Sequence, residues 1–143
     1  TGELHDPETH LIPLAVKACE DDEYQLFVNG TDYPTHDGTC VRDYIHVTDL
    51  ANAHVLSLKK LLSGTIISSR IINLGAGAGF SVMEIIKKIE EISGRNIKYS
   101  TKDRRPGDPP HLVANIALAK ELLDWTPQIS DIDSIVFSAF EWY

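Results

Sequence analysis

RIINLGAGAGFSVMEIIKKIEEISG, residues 70–94, decides the fold class. Arg70 to Leu74 reads as a short buried strand, and Gly75, Gly77 and Gly79 turn the chain sharply after it. The helix that follows has the clearest start signal in the chain. Ser81 and Glu84 have the spacing of a capping box, and Phe80 and Ile85 that of a hydrophobic staple. Val82, Ile85, Ile86 and Ile89 then share one helical face until Gly94 ends the helix. A strand feeding a capped amphipathic helix predicts α/β architecture.

Working outward gives the same alternation. On the C-terminal side the pattern predicts a strand over Asn96 to Ser100, the loop DRRPGDPPH, a helix capped by Asn115 and a break at Thr126-Pro127. A last helix, capped by Ser130, places Ile132, Ile135, Val136, Ala139 and Phe140 on one stripe. On the N-terminal side a helix begins near Leu11 to Pro13 and runs to Cys19, followed by a strand over Gln25 to Asn29. Asn29 to Thr39 is rich in turn formers and reads as a loop. CVRDYIHV, from Cys40, is strand-like; Thr48 then caps a helix with Ala51, Val55, Leu58 and Leu62 on one face, ended by Gly64. No repeat or linker interrupts residues 1–143, which predicts a single domain.

Composition bounds the function. With 143 residues, 43% hydrophobic and 24% charged, the chain is long enough for one ordinary core without a metal or disulfide staple. Cys19 and Cys40 lie far apart with no metal-binding spacing, and read as small buried hydrophobes in a reducing, cytoplasmic setting. A net charge of −8 argues against a nucleic-acid face or a polybasic membrane surface. No apolar run is long enough to span a bilayer. TGELHDPETH has no signal-peptide character and no initiator Met, and the chain stops at Tyr143 inside an apolar periodic run. Both ends lead us to expect a piece of something larger.

Chemistry is expected where charges interrupt apolar runs. Arg42 and Asp43 sit inside CVRDYIHV, where each costs free energy unless paired. Arg105 lies in a second loop, stiffened by Pro106, Gly107, Pro109 and Pro110. A guanidinium fork suits phosphate oxygens, and two forks from separate loops can clamp a diphosphate. The alternative is structural ion pairing, Arg42 with Asp43 or Asp49 and Arg105 with Asp108. LGAGAG lacks the dinucleotide fingerprint GxGxxG, its third glycine coming one residue early. That turn reads either as a helix N-terminus favouring anionic ligand atoms or as a compact turn without a ligand. The six histidines show no metal-binding spacing, and no nucleophile elbow is present. A Tyr-x-x-x-Lys pair is also missing, since Tyr99 and Lys102 are one residue too close. The residues suggest a ligand-holding protein with no catalytic group of its own.

At these positions the sequence resembles the UDP-glucose 4-epimerase family of the extended short-chain dehydrogenase/reductase group, in its C-terminal substrate domain. DYPTHDGTCVRDYIHVTDLANAHV, NLGAGAGFSVMEII, RRPGD and the A-x-x-x-L-x-W-x-P pattern of Ala119, Leu123, Trp125 and Pro127 carry the resemblance, in order along the chain. It implies a small C-terminal substrate-binding α/β domain, lacking the N-terminal Rossmann domain that binds NAD and supplies the catalytic Tyr-x-x-x-Lys. It implies that Arg42 and Arg105 hold the diphosphate of a UDP-hexose and that Asp108 accepts hydrogen bonds from the ribose hydroxyls. Tyr44, Val82 and Leu11 correspond to further pocket positions, and Leu112 to one bordering the sugar. Asn29 stands where an apolar or aromatic residue is common beside uracil, which shifts base contact to Phe27 or to backbone groups. The intact enzyme interconverts UDP-galactose and UDP-glucose through an NAD-dependent 4-keto intermediate; the piece by itself is expected to grip substrate without turnover. The parent's oligomeric state stays open. Two other readings stand beside it: the matching portion of another nucleotide-sugar epimerase or dehydratase, and a free-standing sugar-nucleotide binding module.

Overall fold

The computed structural model describes residues 5–66 and 68–142; the readings taken from Thr1 to Leu4 and from Tyr143 lie outside them. Helices and strands alternate: α1 (Leu11–Glu20), β1 (Leu26–Asn29), β2 (Val41–Arg42), α2 (Val47–Leu62), β3 (Phe80–Ser81) and α3 (Val82–Ser93). The rest comprises β4 (Tyr99–Lys102), β5 (His111–Leu112), α4 (Ala117–Leu123) and α5 (Ile132–Trp142). This is the α/β class expected.

The deciding helix forms as its sequence dictates. Glu84 N–H donates to Ser81 Oγ at 3.1 Å and Ser81 N–H donates to Glu84 Oε2 at 2.7 Å, closing the capping box. At its other end Gly94 takes the left-handed conformation, φ 68°, which a side chain would resist. Ile85, Ile86 and Ile89 are buried, and meet Ala15 and Val16 of α1, Leu26 and Val28 of β1, and Ile132 and Val136 of α5. Each fully buried aliphatic side chain here contributes about 1.5–3 kcal/mol of transfer free energy. A second, smaller cluster joins Ala53 of α2 to Ala119, Leu123 and Trp125.

Two short sheets set the geometry that matters for a site. In one, β1 and β4 pair in parallel, with Leu26 opposite Tyr99 and Asn29 opposite Lys102. In the other, β2 lies between β3, antiparallel, and β5, parallel. The chain between β4 and β5, residues 103–110, therefore leaves one sheet and enters the other, as does the chain between β1 and β2. Close approach requires glycine at one point in particular: a Cβ on Gly79 would lie 2.5 Å from Val41 Cγ1.

Several expectations are corrected. Only Val41 and Arg42 of CVRDYIHV belong to a ladder, and the strand near Asn96 runs instead from Tyr99 to Lys102. Arg70 to Leu74 is not a buried strand. It enters no ladder, its exposure alternates along the segment, and Ile71 is 93% exposed. A short apolar run is consistent with a buried strand but does not supply the strand that would pair with it. The face of α2 that carries Ala51, Val55, Leu58 and Leu62 is exposed, while Asp49 and Ala53 are its buried residues. His46, not Thr48, is the N-cap of α2, its Nδ1 accepting from Thr48 N–H at 3.1 Å. Likewise Asp131, not Ser130, takes the free amide at the start of α5, accepting from Ser134 N–H at 2.8 Å. Ser130 turns inward and donates to Asp49 at 2.6 Å. Cys19 and Cys40 are free thiols and buried.

Candidate functional site

The charges interrupting CVRDYIHV part company in the fold. Asp43 turns to the glycine-rich loop, accepting from the amides of Ala76 at 2.6 Å, Gly77 at 3.1 Å and Ala114 at 3.0 Å. A carboxylate of the chain itself thus takes the amides that a pyrophosphate would need, so the LGAGAG turn does not fit a dinucleotide. The N-terminus of α3 is also satisfied internally, because Ser81 accepts from Glu84 and in turn donates to Asp37. Burial alone would raise the Asp37 pKa, but hydrogen bonds from Ser81 and Thr39 outweigh it and hold the carboxyl below its ordinary range. The turn is compact, with its Ala76 and Gly77 amides held by Asp43.

Arg42 points the other way, into a cleft of about 180 Å³ between the two sheets. Arg105, from the β4–β5 crossing, lines the same cleft, and so does Asp108. Arg42 Nη1 donates to its neighbouring Val41 carbonyl at 2.6 Å, and its Nη2 pairs with Asp108 Oδ1. Arg105 is steadied by Asn29, whose amide oxygen, turned to face it, accepts from Nε at 3.3 Å and Nη2 at 3.1 Å. The structural pairings anticipated from sequence are not the ones present: Asp43 and Asp49 are engaged elsewhere, and the partner of Asp108 is Arg42, not Arg105. Arg104 faces away from the cleft, donating to Asp32 Oδ1 at 2.7 Å and lying 4.4 Å from the centre of the Tyr33 ring.

The remaining anticipated residues meet at the same place. Leu11 comes from the start of α1, Phe27 from β1, Tyr44 from the chain after β2, and Val82 from the first turn of α3; all four line the cleft. Val82 is tied there by its N–H, which donates to the Cys40 carbonyl at 3.2 Å. Phe27 is 44% exposed and carries the Lys102 ammonium 3.3 Å above its ring. Burial pushes the Tyr44 phenol well above its usual range, so it stays protonated at neutral pH. Sequence reasoning missed Thr9, Leu14, Leu26 and Cys40 as lining residues. Nothing in their types marks them, since a small or aliphatic side chain serves a core as well as a cleft wall. Leu112, expected at a sugar position, stands 59% exposed on β5 and does not line the cleft.

Exposure favours exchange at this pair. The side chains of Arg42 and Asp108 are 21% and 26% exposed, so water and a ligand can reach their ion pair. A bidentate guanidinium–phosphate contact is stronger, and a diphosphate meets a second guanidinium from Arg105. The cleft offers two cationic forks, one carboxylate that only accepts, and apolar walls with two aromatic rings. That set suits a planar base joined to a diphosphate.

A larger hollow, about 560 Å³, lies along the C-terminal half of α2. Leu61, Ile66, Ile72, Leu74 and Leu123 supply its apolar wall, beside Arg70 and His54. Ser57, Ser68 and Ser69 complete its lining; it holds one guanidinium and no carboxylate, whereas the smaller cleft brings two guanidinium groups and a carboxylate together.

The sequence profile of the GDP-mannose 4,6 dehydratase family matches residues 3–136. The UDP-glucose 4-epimerase of Azospirillum brasilense is 47% identical over 142 residues, which are 99% of this chain and 40% of that protein. Among solved structures, the UDP-glucose 4-epimerase of Brucella ovis, in complex with NAD, superposes with a TM-score of 0.86 at 46% identity, covering 99% of this chain and 43% of its own. That of Bifidobacterium longum, in complex with NAD+ and UDP, gives 0.81 at 37% identity, covering 93% and 38%. The chain therefore spans about 40% of the length of the relatives it matches, in their C-terminal portion.

Proposed function

Because this chain belongs to the GDP-mannose 4,6 dehydratase family, we propose that it is the UDP-hexose-gripping portion of a UDP-glucose 4-epimerase. Residues 1–143 act as one substrate-binding unit, and the rest of the protein supplies NAD and the proton-transfer residues. The observation that carries this reading is that Arg42, of β2, and Arg105, of the chain between β4 and β5, line one cleft with Asp108. Arg42 and Arg105 bind the diphosphate, Asp108 receives the ribose hydroxyls, and Leu11, Phe27, Tyr44 and Val82 enclose the rest of the nucleotide sugar. Because Asn29 is committed to Arg105, its role is to aim that guanidinium, and the base rests on Phe27. No residue of this chain is assigned to catalysis. Its two unpaired, buried thiols are in keeping with a cytoplasmic protein.

The apolar surface has a place in the same proposal. Val55, Leu58, Leu61 and Leu62 of α2 and Ile71 beyond it are 50%, 57%, 54%, 80% and 93% exposed. Isolated exposed aliphatics are ordinary, but a run of this kind beside an extended segment without a ladder marks a contact surface. We assign it to the remaining three-fifths or so of the protein, implied by the coverage of its relatives.

The test separates phosphate from nucleoside. In the full-length protein, Arg105→Ala is expected to weaken UDP binding by on the order of tenfold to a hundredfold while leaving the weaker uridine affinity almost unchanged. Equal loss for both ligands, or loss for neither, would refute the assignment.

A further inference from the structure

One buried phenol, that of Tyr33, is not used by the reading above. Tyr33 sits in the loop between β1 and β2 and is 4% exposed. Its ring packs against Gly30, where an added Cβ would come within 2.5 Å of Tyr33 Cε2, and beneath the Arg104 guanidinium. Its backbone closes the loop, Tyr33 N–H donating to the Gly38 carbonyl at 2.9 Å and the Tyr33 carbonyl accepting from Thr35 N–H at 2.7 Å. Everything about the residue is fixed except its hydroxyl, which is buried and has no hydrogen-bond partner among the described residues.

A buried hydroxyl without a partner costs free energy, and phenylalanine would fill nearly the same space without that cost. The groups acting electrostatically on this phenol include those of the cleft itself. Burial first, then the Asp108 carboxylate and Cys40, push its pKa above the ordinary tyrosine value, while Arg104 and Arg42 pull it down. The phenol therefore remains a donor at neutral pH, and the first of the charged groups acting on it is the Asp108 carboxylate, an acceptor. That carboxylate is engaged by Arg42, through a partly exposed contact that a phosphate can displace.

We propose that Tyr33 is a positioning residue for the diphosphate cleft: when phosphate draws the Arg42 guanidinium away, the released Asp108 carboxylate accepts a hydrogen bond from the Tyr33 hydroxyl and is held facing the ribose. This rests on the reading of the cleft as a nucleoside diphosphate site. Partner exchange lets Arg42 leave Asp108 without stranding a carboxylate, and it gives the hydroxyl a use that appears only on binding.

The hydroxyl contributes nothing before binding and a charge-assisted hydrogen bond after it, so stability and affinity must separate. The experiment measures UDP dissociation constants by calorimetry, and unfolding temperatures without ligand, for the full-length protein and its Tyr33→Phe and Arg105→Ala variants. Tyr33→Phe is expected to leave the ligand-free unfolding temperature unchanged or raised and to weaken UDP binding about tenfold or more. A fall in that temperature, or failure to fold, would mean the hydroxyl is already partnered and would overturn the proposal. Unchanged UDP affinity in Tyr33→Phe with weakened affinity in Arg105→Ala would overturn it while keeping the cleft assignment. Unchanged affinity in both would overturn both.

Discussion

Replacing Asp43 by alanine removes one carboxylate that fastens two other segments, the glycine-rich turn and the chain at Ala114, to its own. Its Oδ1 accepts from Ala76 N–H at 2.6 Å, and its Oδ2 accepts from Gly77 N–H at 3.1 Å and Ala114 N–H at 3.0 Å. Gly77 is exposed, and water can replace the carboxylate there. The part-buried contacts to Ala76 and Ala114 are the costly ones to lose, at about 1.5 kcal/mol each for bonds to a charged acceptor. The sum, about 3 kcal/mol, corresponds to roughly a hundredfold in the equilibrium for opening this region. Native-state hydrogen exchange at the Ala76 and Ala114 amides reads it directly, and both are expected to speed up by about that factor. Asp43→Asn is expected to recover little, since both carboxylate oxygens accept and an amide keeps only one acceptor. Exchange unchanged within twofold at both amides would refute the reasoning. Tighter binding of inorganic phosphate by Asp43→Ala, with the amides otherwise protected, would instead reinstate the turn as an anion site.

Two further perturbations follow from the same geometry. Gly75→Ala would put a Cβ 2.3 Å from Asp43 Oδ2 and 2.7 Å from the Ala114 Cβ. It is expected to cost about 1–3 kcal/mol and to speed exchange at the same amides, so protection like wild type would count against the packing described. Asp49 is buried, where desolvation would raise its pKa, but hydrogen bonds from Ser130, Ile129 and Gln128 outweigh that and hold it below its ordinary value of 3.8. A pKa depressed by folding contributes stability that is present above about 3.8 and lost as pH falls through the lower folded value. Urea unfolding of wild type and Asp49→Asn should therefore differ by about 1–3 kcal/mol at neutral pH and converge in acid. A difference that stayed constant down through the acid range would contradict the linkage.

How much was legible depends on whether the signal was local. The α3 start needed only Ser81, Glu84 and Gly94, all within one helix, and the capping box stands where the spacing put it. Leu11, Phe27, Arg42, Tyr44, Val82, Arg105 and Asp108 lie far apart in sequence, yet they line one cleft. That grouping came from the ordered motifs of a resemblance, because periodicity carries no information on which loops meet. Sequence failed where the partner is remote. The outward face of α2 is as periodic as a buried one, and only the fold reveals that Asp49, satisfied by residues 128–130, turns inward. Segment 70–74, read as a short buried strand, enters no ladder. The Arg42 to Asp108 pairing crosses 66 positions, and no spacing rule reaches that far.

The most direct measurement is a crystal structure of the full-length protein with UDP bound. The diphosphate should lie between the Arg42 and Arg105 guanidinium groups, each within hydrogen-bond distance of a phosphate oxygen, with Asp108 released from Arg42 and facing the ribose. UDP seated elsewhere, or in this cleft with the Arg42 to Asp108 contact intact and neither arginine on phosphate, would contradict the account.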